Sequence, residues 1–165
     1  MNLRLRALSL LLLAAGFAHA ADAPRTVILV RHADREREGV SDAGRCRAEG
    51  LARLLADAGV TEIFTTEAPR TQQTAEPLSK KLGIAPQVML SKDVVPLVAK
   101  LRSESATGAA LVVGHADTVP EIINKLGGGR VPPIGKTELD RLFVMTVPSS
   151  GPSVPVTLHY PGCKP

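Results

Sequence analysis

Thr26-Val27-Ile28-Leu29-Val30-Arg31-His32-Ala33-Asp34 is an apolar run that ends abruptly in charge. Val27 to Val30 are four consecutive apolar residues, three of them β-branched, and such a run reads as a strand buried on both faces. Open α/β sheets carry their reactive groups just beyond the carboxyl ends of their strands, so position alone makes Arg31 and His32 site candidates. A second run, Ala109-Ala110-Leu111-Val112-Val113, ends in the same manner in Gly114-His115-Ala116-Asp117. A lone histidine at a strand end is more often structural, but two of them, one beside an arginine, point to chemistry. His159 lies within a later strand and reads as structural.

Outward from these two strands the chain alternates between strand and helix signals. Ser41 suits an N-cap, with Asp42 in the first turn of a helix to about Ala58 whose buried face carries Leu51, Leu54, Leu55 and Ala58. Thr61 to Thr65 reads as a strand. Pro69 opens a helix that carries Arg70 and stops at Gly83. Gln87 to Leu90 is a third strand and Asp93 to Arg102 a helix. Thr118-Val119-Pro120-Glu121 has the form of a capping box for a helix that Gly127-Gly128-Gly129 ends. The segment to Asp140 reads as a surface loop, and Leu142 to Val147 and Val154 to Tyr160 as two strands joined by Pro148 to Pro152. This alternation predicts a three-layer α/β/α sandwich, mostly parallel, with an antiparallel edge at the C-terminus.

Residues 1–20 have the form of a signal peptide: Arg4 and Arg6, then an apolar run from Ala7 to Ala18, then Ala18-His19-Ala20 as a cleavage site. That run is too short to span a hydrocarbon core. The expectation is a single domain over residues 21–165 in the periplasm or secreted, with no membrane span after cleavage. Without Arg4 and Arg6 the chain has 18 Lys+Arg against 16 Asp+Glu, so its charge implies no polyanionic partner. Phe64, Phe143 and Tyr160 are too few aromatics for a stacking surface, which disfavours nucleic acid. Cys46 and Cys163 are either bridged in an oxidising compartment or two thiols without a role.

Val30-Arg31-His32-Ala33-Asp34 resembles the Arg-His-Gly signature of the histidine phosphatase superfamily, in the Arg-His-Ala-acid form of its small bacterial members. Ser41-Asp42-Ala43-Gly44 is similar to the turn that opens the first helix of that family. Thr66-Glu67-Ala68-Pro69-Arg70-Thr71-Gln72-Gln73-Thr74-Ala75 resembles the stretch that carries its second phosphate-binding arginine, and Gly114-His115 matches its second histidine. The resemblance extends over nearly all of residues 21–165. It implies that His32 is the nucleophile and takes the phosphoryl group on a ring nitrogen, while Arg31, Arg70 and His115 hold the phosphoryl oxygens. Arginine suits that task because its planar fork donates to two oxygens at once and stays charged.

The resemblance also implies an acid for the leaving oxygen. Asp93 falls in the region where one branch of the family keeps a glutamate, and Asp117, one residue displaced from where another branch keeps an aspartate, is its rival. No metal or other cofactor is expected. Two different readings compete with the phosphomonoesterase. His32-Ala33-Asp34 and His115-Ala116-Asp117 have a spacing found in metal sites, although the arginines would repel a divalent cation. A phosphate-binding module without turnover would use the same four residues. Export favours hydrolysis, with a small phosphorylated substrate, a phosphorylated envelope sugar or a phosphohistidine as the candidates. Arg130 and Lys136, in the loop from Gly127 to Asp140, are the candidate specificity residues.

Overall fold

The computed structural model describes residues 24–103, 108–148 and 150–162, so the expected signal segment 1–20 lies outside the described residues. Strands β1 (Arg25–Arg31) and β6 (Ala109–Gly114) lie parallel, with Ile28 opposite Leu111 and Arg31 opposite Gly114. β4 (Val60–Thr66) and β5 (Gln87–Met89) continue the parallel sheet beyond β6. On the other side of β1, β7 (Arg141–Val147) pairs antiparallel, and β8 (Pro155–His159) pairs antiparallel with β7. The order β5-β4-β6-β1-β7-β8 is the expected mostly parallel sheet with an antiparallel C-terminal edge.

Successive side chains of a strand face opposite ways, and both faces here are covered. Val27, Leu29 and Val112 pack with Leu97 and Leu101 of α3 (Val94–Leu101) and with Ile122 and Ile123 of α4 (Thr118–Ile123). Ile28, Val30, Leu111 and Val113 pack with Leu51 and Leu55 of α1 (Asp42–Leu55) and with Ala75 and Leu78 of α2 (Pro69–Leu82). Because β6 lies between β1 and β4, the chain crosses over it between those two strands, and the carboxyl ends of all three open onto one rim. Such a rim is where sheets of this kind bind ligands.

The local structure differs from the expectation in places and adds to it in one. α1 ends at Leu55, and Leu54 is 53% exposed because the buried stripe runs through Gly44, Ala48, Leu51, Ala52 and Leu55. The charged segment after Asp34 forms a small hairpin, β2 (Arg35–Glu36) with β3 (Gly39–Val40). The capping box is not made: Asp117 caps α4, its Oδ1 accepting from the Thr118 N–H, while the Thr118 hydroxyl accepts from the His115 N–H (2.9 Å). α4 is also short, passing into a π turn over Asn124–Gly128. Among the described residues no helix is long and apolar enough to cross a membrane. Cys46 is half-buried on α1 and is not a free thiol, and Cys163 lies outside the described residues.

Gly44 fixes α1 against the turn that follows His32. The Ser41 N–H donates to the Asp34 carbonyl (2.8 Å), and Ser41 Oγ accepts from the Gly44 N–H (3.2 Å). A methyl group at position 44 would lie 2.1 Å from that same Asp34 oxygen, closer than any real contact. Gly44→Ala is therefore expected to cost about 1–3 kcal/mol, as for other overpacked sites, and to lower the urea midpoint. Gly50→Ala, whose nearest contact is 3.3 Å, is the comparison. Equal effects from the two would mean that the contact with Asp34 does not decide the choice of glycine.

Candidate active site

Three strand ends and one helix start meet at an open cleft of about 1010 Å³, lined by Arg31, His32, Arg70 and His115 together with Asp34, Asp117 and others. β1 delivers Arg31 and His32, and β6 delivers His115. The 14-residue helix α2 starts at Pro69, which puts Arg70 in its first turn. Gly114 lets α4 begin close behind His115, since a Cβ there would lie 2.9 Å from the Thr118 hydroxyl.

His32 is 5% exposed and held from several sides. Its backbone N–H donates to the Gly114 carbonyl (2.9 Å), and the Ala33 N–H donates to Thr74 Oγ1 (2.9 Å). Nδ1 lies 2.8 Å from the Ala33 carbonyl, which can only accept, so Nδ1 carries the ring proton and Nε2 keeps its lone pair. Burial, helped by the charges of Arg31 and Arg70 and opposed by the bond to Ala33, pushes the His32 pKa down to about 4. The ring is thus neutral at physiological pH.

The His115 ring centroid is 5.5 Å from that of His32, with the planes at 66°. An Arg70 Nη2–H reaches its Nδ1 at 3.5 Å. As arginine cannot accept, Nε2 is the protonated nitrogen and donates to Thr66 Oγ1 at 3.0 Å. Burial and then the Arg70 charge push His115 below the ordinary histidine value. Arg31 Nη1 donates to the carbonyls of Gly135 (2.8 Å) and Lys136 (3.0 Å). The Nε atoms of Arg31 and Arg70 are buried with no protein partner. A buried N–H costs free energy unless it is satisfied.

Of the expected residues, Arg31, His32, Arg70 and His115 come together at the cleft, but Asp93 does not. It stands before the first turn of α3, makes no capping bond, and lines a smaller cavity with Met89, Leu90, Val94 and Leu97. In the tight turn from Leu90 to Asp93 the Asp93 N–H donates to the Leu90 carbonyl (2.8 Å), which leaves Ser91 and Lys92 lining the cleft and sets Asp93 in an adjoining cavity that also reaches Thr66, Gly114 and Thr118. Asp117 does line the cleft, with Glu121. The two His-x-Asp pairs do not converge as metal ligands. Asp34 Oδ2 accepts from Arg47 Nε at 2.6 Å; burial raises its pKa, but that bond, a backbone hydrogen bond and the Arg47 and Arg31 charges together lower it, and no three acidic, histidine or cysteine side chains among the described residues are grouped to hold a metal ion. Lys136 lines the cleft and Arg130 does not. Thr66, Thr74 and Thr118, which hold His115 and the His32 turn, carry the one signal of hydroxyls next to site motifs.

The depressed His32 value sets a pH dependence. Below pH 6.5 an unfolded histidine takes up a proton that the folded ring resists until about pH 4, so the contribution of His32 to stability falls as pH drops through that window. His32→Asn should therefore lose less stability than the wild type between pH 7 and 4.5, as read by urea denaturation. Equal losses would contradict a buried neutral ring.

The family model of the histidine phosphatase superfamily (branch 1) matches residues 25–93, the part that holds Arg31, His32 and Arg70. No curated protein matches the chain. Among solved structures, mycobacterial glucosyl-3-phosphoglycerate phosphatase is 14% identical with a TM-score of 0.59, over 74% of this chain and 90% of the other. Phosphoglycerate mutase from Plasmodium falciparum is 15% identical with a TM-score of 0.60, over 82% and 90%. The protein assigned as phosphohistidine phosphatase SixA in Agrobacterium tumefaciens is 22% identical with a TM-score of 0.52, over 74% and 92%. At these identities the likeness is one of fold. Residues 25–93 are thus similar to the histidine phosphatase superfamily (branch 1), and the fold is one shared with these solved structures.

Proposed function

We propose that this protein is an exported, metal-independent phosphatase that hydrolyses phosphomonoesters through a phosphohistidine on His32. The observation that carries this reading is a neutral imidazole whose Nε2 lone pair is free while Nδ1 is tied to a carbonyl, set among two arginines with unsatisfied buried N–H groups. Nε2 would attack phosphorus as the ester P–O bond breaks, with Arg31 and Arg70 taking up charge on the equatorial oxygens and His115 joining them if its Nε2–H turns from Thr66 to the phosphoryl group. Asp117 would give its proton to the departing oxygen. Water would then attack the phosphohistidine, passing a proton to Asp117 and releasing inorganic phosphate and neutral His32. The openness of the cleft also suits a phosphohistidine carried on another protein, which is the second reading.

The decisive experiment is a phosphate-release screen of the protein from residue 21 onward in the presence of a chelator. Release from phosphomonoesters is expected to persist, and its loss on chelation would sink the metal-independent reading. Vanadate gives a separate test of the clamp. Because Arg70 acts on charge already present in a bound oxyanion, Arg70→Ala should weaken vanadate inhibition by at least about tenfold along with catalysis. Unchanged vanadate affinity would remove Arg70 from the site.

A further inference from the structure

Three more cations line the cleft beyond the phosphoryl-binding set: Arg35, Lys92 and Lys136. None makes an ion pair with a carboxylate among the described residues, whereas two of the three carboxylates that line the cleft have cations of their own, Asp34 in Arg47 and Glu121 in Lys125 (3.8 Å). The excess is concentrated near Arg31. After burial, Arg35 is the largest influence that lowers the Arg31 pKa, so the two guanidinium groups are near neighbours. Lys136 is rooted at the same place, because its own carbonyl accepts from Arg31 Nη1.

Both cations stand on braced backbone. Arg35 is paired with Val40 in the β2–β3 hairpin, and the Val40 N–H donates to Gln73 Oε1 of α2 (2.8 Å). The loop of Lys136 is bound by Arg31 at Gly135, Lys136 and Glu138, and Arg141 holds Glu138 (2.5 Å) and the Pro132 carbonyl (3.0 Å). Like charges gathered on fixed backbone without a counter-carboxylate repel one another until an anion arrives. A phosphoryl dianion between Arg31 and Arg70 uses those two guanidinium groups, Arg70 sharing its charge with Glu38 at 3.8 Å, so Arg35 and Lys136 stand outside the set that holds it.

We infer that Arg35 and Lys136 form a second anion subsite beside Arg31, and that the preferred substrate carries, besides the phosphoryl group that is hydrolysed, a second anionic group, either a carboxylate or a phosphate. The inference rests on the phosphatase reading for its first anion, and it names the class of substrate that the reading leaves open. The second group is held and not transferred, so it binds and orients the substrate without entering the reaction.

Two matched pairs of probes separate the sources. Glycerol 3-phosphate and 3-phosphoglycerate differ by a carboxylate in place of a hydroxymethyl group, and fructose 6-phosphate and fructose 1,6-bisphosphate differ by a second phosphate. The wild type is expected to favour the more anionic member of at least one pair by about tenfold or more in kcat/KM, and the pair that shows this names the anion. Arg35→Gln/Lys136→Gln should reduce that preference to less than about threefold. No preference in either pair, or a preference that survives the double substitution, would overturn the subsite. Binding of the same four compounds to His32→Ala by calorimetry keeps the test apart from the phosphatase reading. If the wild type turns over none of them while His32→Ala still prefers the more anionic probe, the phosphatase reading fails and the subsite stands; equal binding of both members of each pair overturns the subsite alone.

Discussion

His32→Ala is expected to lower turnover by at least about 10³-fold, and rapid base quenching of the wild type during turnover is expected to trap a phosphoenzyme that is base-stable and is lost on acid treatment. The size of the effect follows from the geometry around the ring. A nitrogen nucleophile needs its lone pair aimed and unprotonated, and the Ala33 carbonyl achieves both by occupying Nδ1–H and leaving Nε2 as the sole basic position. Burial then keeps the ring neutral down to about pH 4, so no part of the population is lost to protonation at neutral pH. No neighbouring group can substitute. His115, 5.5 Å away, has its Nε2–H engaged by Thr66 and its Nδ1 facing Arg70, so its lone pair is directed at a guanidinium and not at a substrate. A phosphoryl group found on any residue other than His32 would end the proposal.

The sheet and the four residues at its rim were legible because each depends on short-range pattern. Continuous apolar runs such as Val27 to Val30 mark doubly covered strands, and a strand end fixes where the next two side chains go. Arg70 was legible as a site residue only through the resemblance of Thr66 to Ala75 to the family stretch, while Pro69 marked the helix start that places it. What escaped depends on contacts between distant segments. The Thr118 hydroxyl had a choice between capping α4 and accepting from the His115 N–H, and only the close approach allowed by Gly114 decides it. Lys136 is brought to the cleft by Arg31, more than a hundred residues earlier in the chain. Leu54 shows the limit of periodicity alone, because a stripe through Leu51 and Leu55 admits a neighbour on either side and the sheet covers one of them. Asp93 was placed by sequence position after β5, and past the tight turn from Leu90 it lines the adjoining cavity and not the cleft that holds His32.

That displacement makes Asp117 the carboxylate to test, and Asp117→Asn is expected to lower kcat on alkyl phosphates by about 10²- to 10⁴-fold, the usual contribution of a positioned general acid. Asp117 lines the cleft three residues beyond the end of β6, with Oδ1 fixed by the Thr118 N–H at 2.9 Å, so that Oδ2 is the atom left for a departing oxygen. An alkoxide is a poor leaving group and needs a proton as its bond to phosphorus breaks, whereas a phenolate with electron-withdrawing substituents leaves unaided. Asp117→Asn should therefore spare activated aryl phosphates, and phosphoramidates as well, because solvent can protonate an imidazole nitrogen. Asp93→Asn, in the adjoining cavity, should change alkyl phosphate turnover by less than about threefold. An equal fall on every substrate would make Asp117 a positioning residue for α4 and His115. No effect from either substitution would leave the alkyl oxygen without a donor among these two carboxylates and would favour phosphohistidine, whose leaving group needs none, as the substrate.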